Sequence, residues 1–436
     1  MYKLIFFLLL LIFVNSVNSQ EIYNYTNVNN KSFLLYQQKN WKELIKYGNN
    51  SIKNNVDFYY LQYRLGIAYY ELKKYRKAIP FFENVVNKTP EDNIAQEYLY
   101  YAYVFSGRTE DARILSHSFT PALKQKLKFY NENSFINGIG TEYKTNFYDN
   151  YKAETLQTDN LEQTVTNSFN YFSINLTHLS KNKFSVFHAF SYLNGNNNVY
   201  SQNYSVAEFT EDVNLFQYYI NFNWLVAKGS NLKFGLHYIN SNVKAENTTF
   251  TNHGGRNTNL LYSSKTNNLV FFGAFSKSIS LFDIKLSASF SNINSETQIQ
   301  PSLSLYYYPF ANTKLYFGTQ GFYQYTNANN TNTSSYMIKA IMGFVPFKSF
   351  TIEPFIFKGD GIYNFVYNDA FVINNSIDKL NNNFGANLYL TLNKGRMQIY
   401  TILQQSSYTN TYSINGEYND IKYINKSITG GIKWYF

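Results

Sequence analysis

Thr429-Gly430-Gly431-Ile432-Lys433-Trp434-Tyr435-Phe436 closes the chain, and its alternation decides the fold. Ile428, Gly430, Ile432, Trp434 and Phe436 share one parity; Ser427, Thr429, Gly431, Lys433 and Tyr435 share the other. Period two predicts a strand with an apolar face and a polar face. Such a strand also fits the edge of a soluble sheet, so the remainder of the chain has to choose.

Working back from that strand, alternating runs bounded by turn residues predict fourteen strands. They lie near 134–145, 167–179, 182–193, 213–226, 230–241, 266–277, 281–292, 297–308, 312–324, 335–345, 349–359, 382–393, 396–407 and 426–436. Six connections are short, at 180–181, 227–229, 278–280, 309–311, 346–348 and 393–395. Between them the sequence predicts long Asn-rich loops at 146–166, 194–212, 242–265, 325–334, 360–381 and 408–425, with one further short link near 292–296. Short turns alternating with long polar loops over an even strand number point to an antiparallel transmembrane barrel. On one face of three strands stand Phe282, Leu286 and Phe290, then Ile299, Leu303 and Leu305, then Phe384, Leu388 and Leu392. These are expected toward lipid.

Composition agrees. The 436 residues include 43 Tyr and 39 Phe but only 15% charged residues, and mean hydropathy is -0.36. That is too aromatic for a disordered chain and too polar for a helical membrane protein. An alternating barrel averages to such a value. The formal charge is +10, yet no basic run exceeds Lys73-Lys74, so no nucleic-acid partner is expected. With no Cys, disulfides and thiolate metal sites are excluded, and no cofactor is implied.

Residues 1–19 read as a signal peptide: Lys3, an apolar run from Leu4 to Val14, then Val17 and Ser19 before a cut at Gln20. From about Asn29 to Tyr130 the period becomes helical. Leu65, Gly66, Tyr69, Tyr75, Ala78, Phe82 and Pro90 stand at the offsets of a tetratricopeptide repeat, a unit of 34 residues. Weaker copies lie around Trp41 and around Leu99, Tyr103 and Ala112, with Ser106-Gly107 as a turn. The expected architecture is therefore α + β multidomain: a short helical array at 20–130, then a barrel of about 14 strands at 131–436.

Charges within the strands are expected to face the lumen, because a charge on the lipid side at the membrane midplane costs about 2–4 kcal/mol. They are Lys233, Asp283, Lys285, Lys314, Lys339, Glu353, Arg396 and Lys433, with His237 among them. Their positive excess fits an anionic solute; equally, opposite charges pairing across the lumen would plug it. No catalytic residues are identified. His178 and His188 fall on different strands, His253-Gly254-Gly255-Arg256 lies in a loop, and neither a Gly-x-Ser-x-Gly nor a phosphate loop occurs. An enzyme is not expected.

Thr429, Gly431, Trp434 and Phe436 give the order polar-x-Gly-x-x-hydrophobic-x-hydrophobic, which resembles the C-terminal signal read by barrel-assembly machinery. With the leader and the repeat set, the chain resembles the YaiO-type outer-membrane proteins and, more loosely, exopolysaccharide-export porins. The resemblance implies a Gram-negative outer-membrane barrel, in contact with outer-membrane lipid, with its helical domain in the periplasm. It also implies a role in transport, export or envelope assembly, with the repeats recruiting a periplasmic protein or polymer. A non-conducting barrel anchoring a scaffold is the alternative.

Overall fold

The computed structural model describes residues 23–127, 136–156, 159–179, 184–202, 208–250, 256–328 and 331–436. The expected leader and the expected boundary at 130/131 lie outside the described residues, as does the 180–181 turn. The chain forms two compact units, one through Ala102 and one from Tyr103.

Among the described residues seven helices come first: α1 (Tyr25–Gln37), α2 (Trp41–Lys53), α3 (Tyr59–Glu71), α4 (Tyr75–Lys88), α5 (Asn93–Phe105), α6 (Thr109–His117) and α7 (Pro121–Leu127). The starts of α1, α3 and α5 are separated by 34 residues each, and so are those of α2, α4 and α6. The turns keep the same step, with Lys39, Lys73 and Gly107 all at positive φ (54, 58 and 82). Leu44, Leu61 and Leu65 are fully buried between α1, α2 and α3. Gly66 lets α3 approach α4: a Cβ there would lie 2.9 Å from Phe82 Cε1. Phe82 in turn stacks on Tyr98, with centroids 5.3 Å apart. Tyr69 stacks on Phe81 and its hydroxyl accepts from Asn49 Nδ2 at 2.8 Å. Tyr75 sits edge-on to Tyr70, Ala78 is buried, and the Pro90 carbonyl accepts from Gln96 Nε2 at 2.6 Å.

The second unit is a closed antiparallel barrel. Its strands are β1 (Ile136–Tyr148), β2 (Leu161–Leu179), β3 (Phe184–Tyr200), β4 (Glu208–Ala227), β5 (Ser230–Phe250), β6 (Arg256–Ile279), β7 (Phe282–Ile293), β8 (Glu296–Tyr307), β9 (Leu315–Ala328), β10 (Thr331–Phe347), β11 (Phe350–Ile362), β14 (Lys379–Leu392), β15 (Met397–Ile414) and β16 (Glu417–Tyr435). Each pairs with its neighbour in sequence, and β16 closes on β1 with Tyr435 opposite Gly138 and Asn425 opposite Tyr148. Fourteen strands were expected and fourteen form the barrel. Two short ones, β12 (Phe365–Tyr367) and β13 (Val372–Asn374), pair only with each other. No described helix is long and apolar enough to cross a membrane, which says nothing of a barrel.

The loop expectation needs correction. β3, β4, β5, β6, β9, β10, β15 and β16 run far into the segments read as long loops, leaving turns such as Asn415-Gly416. Apolar alternation stops where the outer face ceases to be apolar, but the hydrogen-bonded ladder does not need it. Asn, Ser and Thr side chains at these positions remain compatible with pairing in water, so the strands continue.

Faces follow the expected parity. Phe290, Leu303, Phe384 and Ile428 are exposed outward at 48%, 52%, 49% and 46%, while Ser289, Ser291, Gln298, Gln300, Ser304 and Asn383 are buried inward. An apolar exterior around a polar interior is the membrane-barrel arrangement. At several places an inward tyrosine covers a cross-strand glycine, as Tyr306 covers Gly318. Tyr400 lies over Gly431 and donates to Glu142 on β1 at 2.6 Å. Tyr316 lies over Gly343 and donates to Glu353 on β11. A Cβ at Gly431 would come within 2.2 Å of Tyr400 Cζ, so each ring requires the glycine it covers.

The rim carrying β1's start and β16's end is called here the terminal rim, and the opposite one the distal rim. At the terminal rim Asp111 of α6 accepts from Gly229 N at 2.9 Å and from Arg108 at 2.9 Å. Gly229 has φ +65, which favours glycine in this turn. Thr313 Oγ1 donates to the Phe105 carbonyl at 3.4 Å. The α5–α6 turn is thus tied to two turns of the barrel.

Candidate functional site in the barrel lumen

Residues 363–378, read from sequence as part of an external loop, fold inward from the distal rim as the β12–β13 hairpin. The backbone sets this direction. Between Lys358 and Ile362 the β11–β14 register shifts, and Gly361 has φ +87. A Cβ at Gly359 would meet Tyr336 O at 2.0 Å. Glycines here allow the strand to bend, as bulges do.

The hairpin is gripped all around the wall. Phe365 packs against Phe322 and Phe357, with centroids at 4.9 and 5.8 Å, and Phe371 against Phe187 and Tyr219 at 5.7 and 5.3 Å. Val366 and Ala370 are buried among Tyr219, Val270, Phe272 and Ile293. Gln300 Nε2 donates to the Val366 carbonyl at 2.5 Å and Gln324 Nε2 to the Tyr363 carbonyl at 3.1 Å. Asn364 Nδ2 donates to Glu296 at 3.1 Å, and Tyr408 OH to Asn374 Oδ1 at 3.1 Å.

At the tip Asn368, Asp369 and Ala370 all have positive φ (53, 58 and 61). Consecutive left-handed L-residues are unfavourable, so tertiary contacts hold the tip. Asp369 supplies them. Lys233 Nζ lies 2.8 Å from its Oδ2 and Lys285 Nζ 2.6 Å from its Oδ1. Tyr219 OH donates to the Asp369 carbonyl at 2.6 Å, and His237 Nδ1 donates to the Ala370 carbonyl at 2.8 Å.

The other charged positions are distributed as follows. Lys339 places its cation over Phe355 and Phe357, at 5.6 and 5.1 Å from the centroids. Glu353 accepts from Tyr316 and from Asn387 Nδ2, the latter at 3.0 Å. Lys433 lies over Tyr400 at 5.3 Å. Asp283 stands at the start of β7, opposite Tyr306. Lys314 and Arg396 do not lie on strands. They occupy the turns before β9 and β15, because both strands begin later than the alternation implied. Of the terminal set, Thr429 is buried inward, Gly431 lies under Tyr400, and Trp434 and Phe436 are exposed outward.

Sequence reading missed Asp369, whose partners are 136 and 84 residues away. Gly359-Asp360-Gly361 at a strand end and the apolar pair Phe365-Val366 inside a polar loop were the available signals. His178 and His188, set aside as metal candidates, do meet edge-to-face at 4.9 Å, with His188 Nδ1 2.7 Å from Tyr218 OH. Among the described residues no group of three or more His, Cys, Asp or Glu could hold a metal.

Above the hairpin, toward the distal rim, lies a cavity of about 510 Å³. Its wall includes Glu162, Glu211, Asp378, Tyr200, Tyr262 and Tyr363, and none of the described residues that line it is basic. Asp378 accepts from Tyr423 at 2.7 Å and Asn410 at 2.7 Å, and Tyr151 stacks on Tyr423 at 3.7 Å.

No protein-family model and no curated protein matches the chain. Among solved structures, a deltaS2 mutant of the TodX monoaromatic hydrocarbon channel aligns with 75% of this chain and 95% of its own, at 6% identity and TM-score 0.45. A Pseudomonas aeruginosa FadL homologue aligns with 68% of this chain and 89% of its own, at 6% identity and TM-score 0.41. MamA D159K mutant 2 aligns with 24% of this chain and 56% of its own, at 17% identity and TM-score 0.21. Scores this low carry nothing about cargo, and the closed barrel rests on its own strand registers.

Proposed function

We propose that this protein is a Gram-negative outer-membrane barrel that moves a small solute through a gated lumen, the gate being the hairpin at 363–378. The observation that carries this reading is what fills the lumen. A barrel of fourteen strands encloses more room than the smallest barrels, whose wall side chains alone fill it. Here the wall contributes inward Ser, Asn, Gln and Lys together with aromatics such as Tyr219, Phe322 and Phe357, and the space between them is taken by a segment attached at one rim. A segment of that kind can leave; wall side chains cannot.

The rest of the reading follows the same orientation. The terminal rim faces the periplasm and the distal rim the outside, with 1–19 as an export leader and Phe436 at the end of the assembly signal. The 34-residue step of helices and turns, with Gly66 under Phe82, supports a short tetratricopeptide array. It would act as a periplasmic scaffold for a protein or polymer in the manner of YaiO-type proteins. Catalysis and cofactors form no part of the proposal. The many contacts between the hairpin and the wall favour a second reading, a non-conducting barrel that anchors the helical scaffold.

Planar-bilayer recordings separate the two. The wild type is expected to be closed with rare openings. Deleting 364–377, in a barrel still folded by heat-modifiable migration, is expected to give steady conductance. A folded deletion variant that stays silent would leave only the anchor.

A further inference from the structure

The contacts at Asp369 have the form of a ligand site occupied by the protein's own chain. Each carboxylate oxygen takes a different ammonium, Oδ2 from Lys233 on β5 and Oδ1 from Lys285 on β7. Donors for a ligand's acceptors stand beside them. Tyr219 OH and His237 Nδ1 serve the Asp369 and Ala370 carbonyls at 2.6 and 2.8 Å. Lys339 on β10, three strands from β7 in the barrel order, adds a third cation on the wall, held over Phe355 and Phe357.

We infer that Lys233, Lys285, Tyr219 and His237 form a binding site for an organic carboxylate bearing a neighbouring carbonyl or hydroxyl acceptor, and that Asp369 occupies it as an internal competitor. The inference rests on the gated-passage reading and names its solute class. With the hairpin docked, one carboxylate offsets two ammonium groups. With the hairpin out, both lysines face the lumen, and a carboxylate solute satisfies the same donors. Solute binding and hairpin release are then linked, because a ligand that binds only the undocked state shifts the population toward it.

The acidic cavity above the hairpin works against anion entry from the distal side. It sits at the wetter rim, where water and salt weaken its field. The lysine pair lies toward the terminal rim, at the fourth residue of both β5 and β7, and charged side chains lining a pore set its selectivity. The two fields make opposite predictions for the open pore, which makes the inference testable.

Ion selectivity is to be measured on the barrel lacking 364–377. Chloride is expected to permeate severalfold better than potassium, and Lys233→Gln with Lys285→Gln is expected to abolish that preference. A conducting pore that prefers potassium, or a preference unmoved by the lysine changes, would overturn the site while leaving gated passage intact. The second measurement uses the full chain. It has no Cys, so Ala370→Cys supplies a single thiol whose labelling by an impermeant maleimide reports undocking. Succinate is expected to raise the labelling rate severalfold over chloride at matched ionic strength, and Asp369→Asn is expected to raise it without succinate. Equal rates in the two salts would refute competition at the site.

Discussion

At the distal rim, the hairpin turning at Asn415-Gly416 carries its two strands outward, whereas 363–378 turns back into the lumen. Both segments are rich in Asn and Tyr. In the first, the ladder is unbroken from Ser407 opposite Ile424 to Ile414 opposite Glu417. Its turn has Asn415 and Gly416 at φ 54 and 86, the two-residue geometry whose twist suits a hairpin. Thr411 donates to Asp420 at 2.7 Å across the strands, and Tyr418 at the tip is 83% exposed. In the second, only three residue pairs form a ladder, and stability comes from burial of Phe365, Val366 and Ala370 and from the Asp369 contacts. The outward hairpin is held by backbone pairing, the inward one by side chains.

The strongest way to break this contrast is to put a charge on the buried side of the inward hairpin. Val366 is 3% exposed and lies in the cluster with Tyr219, Val270 and Ile293. Val366→Asp forces a carboxylate to lose water without a cation at hand, a cost of at least several kcal/mol. The undocked hairpin should become the main state. Ala370→Cys in that background should label at nearly the rate of an exposed thiol, while heat-modifiable migration shows an intact barrel. Slow labelling would mean that the hairpin is held by more than the contacts described.

A milder change sharpens the same point. Tyr219→Phe removes the hydroxyl that donates to the Asp369 carbonyl and accepts from Asn221 Nδ2 at 3.0 Å. The phenyl ring keeps its place against Phe187 and Phe371. One net hydrogen bond is worth about 1 kcal/mol, so undocking should rise by roughly fivefold. The effect should appear as more frequent openings or faster labelling, with unchanged thermal stability of the barrel.

How much of this was legible follows from the same contrast. Strand number and inward or outward parity come from period two, which is a local property. Phe290 against Ser289 and Leu303 against Ser304 can be read from neighbours in sequence. The strand ends were not legible, because at positions such as Asn410 and Asn419 nothing apolar alternates while the backbone still pairs. The site was legible only in part. Lys233 and Lys285 were singled out as lumen charges, but their partner sits in a segment with no periodicity. A loop's direction depends on a bend at Gly359–Gly361 and on an apolar pocket built from six strands. Lys314 and Arg396 were misplaced for a simpler reason: turn residues next to a strand share its parity by chance half the time.

The smallest effect is expected at the outward hairpin. Because Asn415 and Gly416 belong to a turn whose strands pair with each other along their length, a short flexible insertion between them adds mainly loop-closure entropy, beside the exposed hydrogen bonds of Asn415 to Asp159 and Asn160. That cost grows slowly, by about 0.6 kcal/mol for each doubling of loop length. An eight-residue Gly/Ser epitope placed there should leave barrel migration and the labelling rate of Ala370→Cys unchanged within about twofold. Antibody binding to that epitope on intact cells would also place the distal rim outside. If the insertion instead releases the inward hairpin, then the two connections are coupled through Tyr408 and Asn374, whose hydrogen bond joins β15 to the hairpin at 3.1 Å. Tyr408→Phe without the insertion decides that case: coupling through this bond predicts that removing the hydroxyl alone reproduces the release. Independent hairpins predict that it changes labelling no more than Tyr219→Phe does.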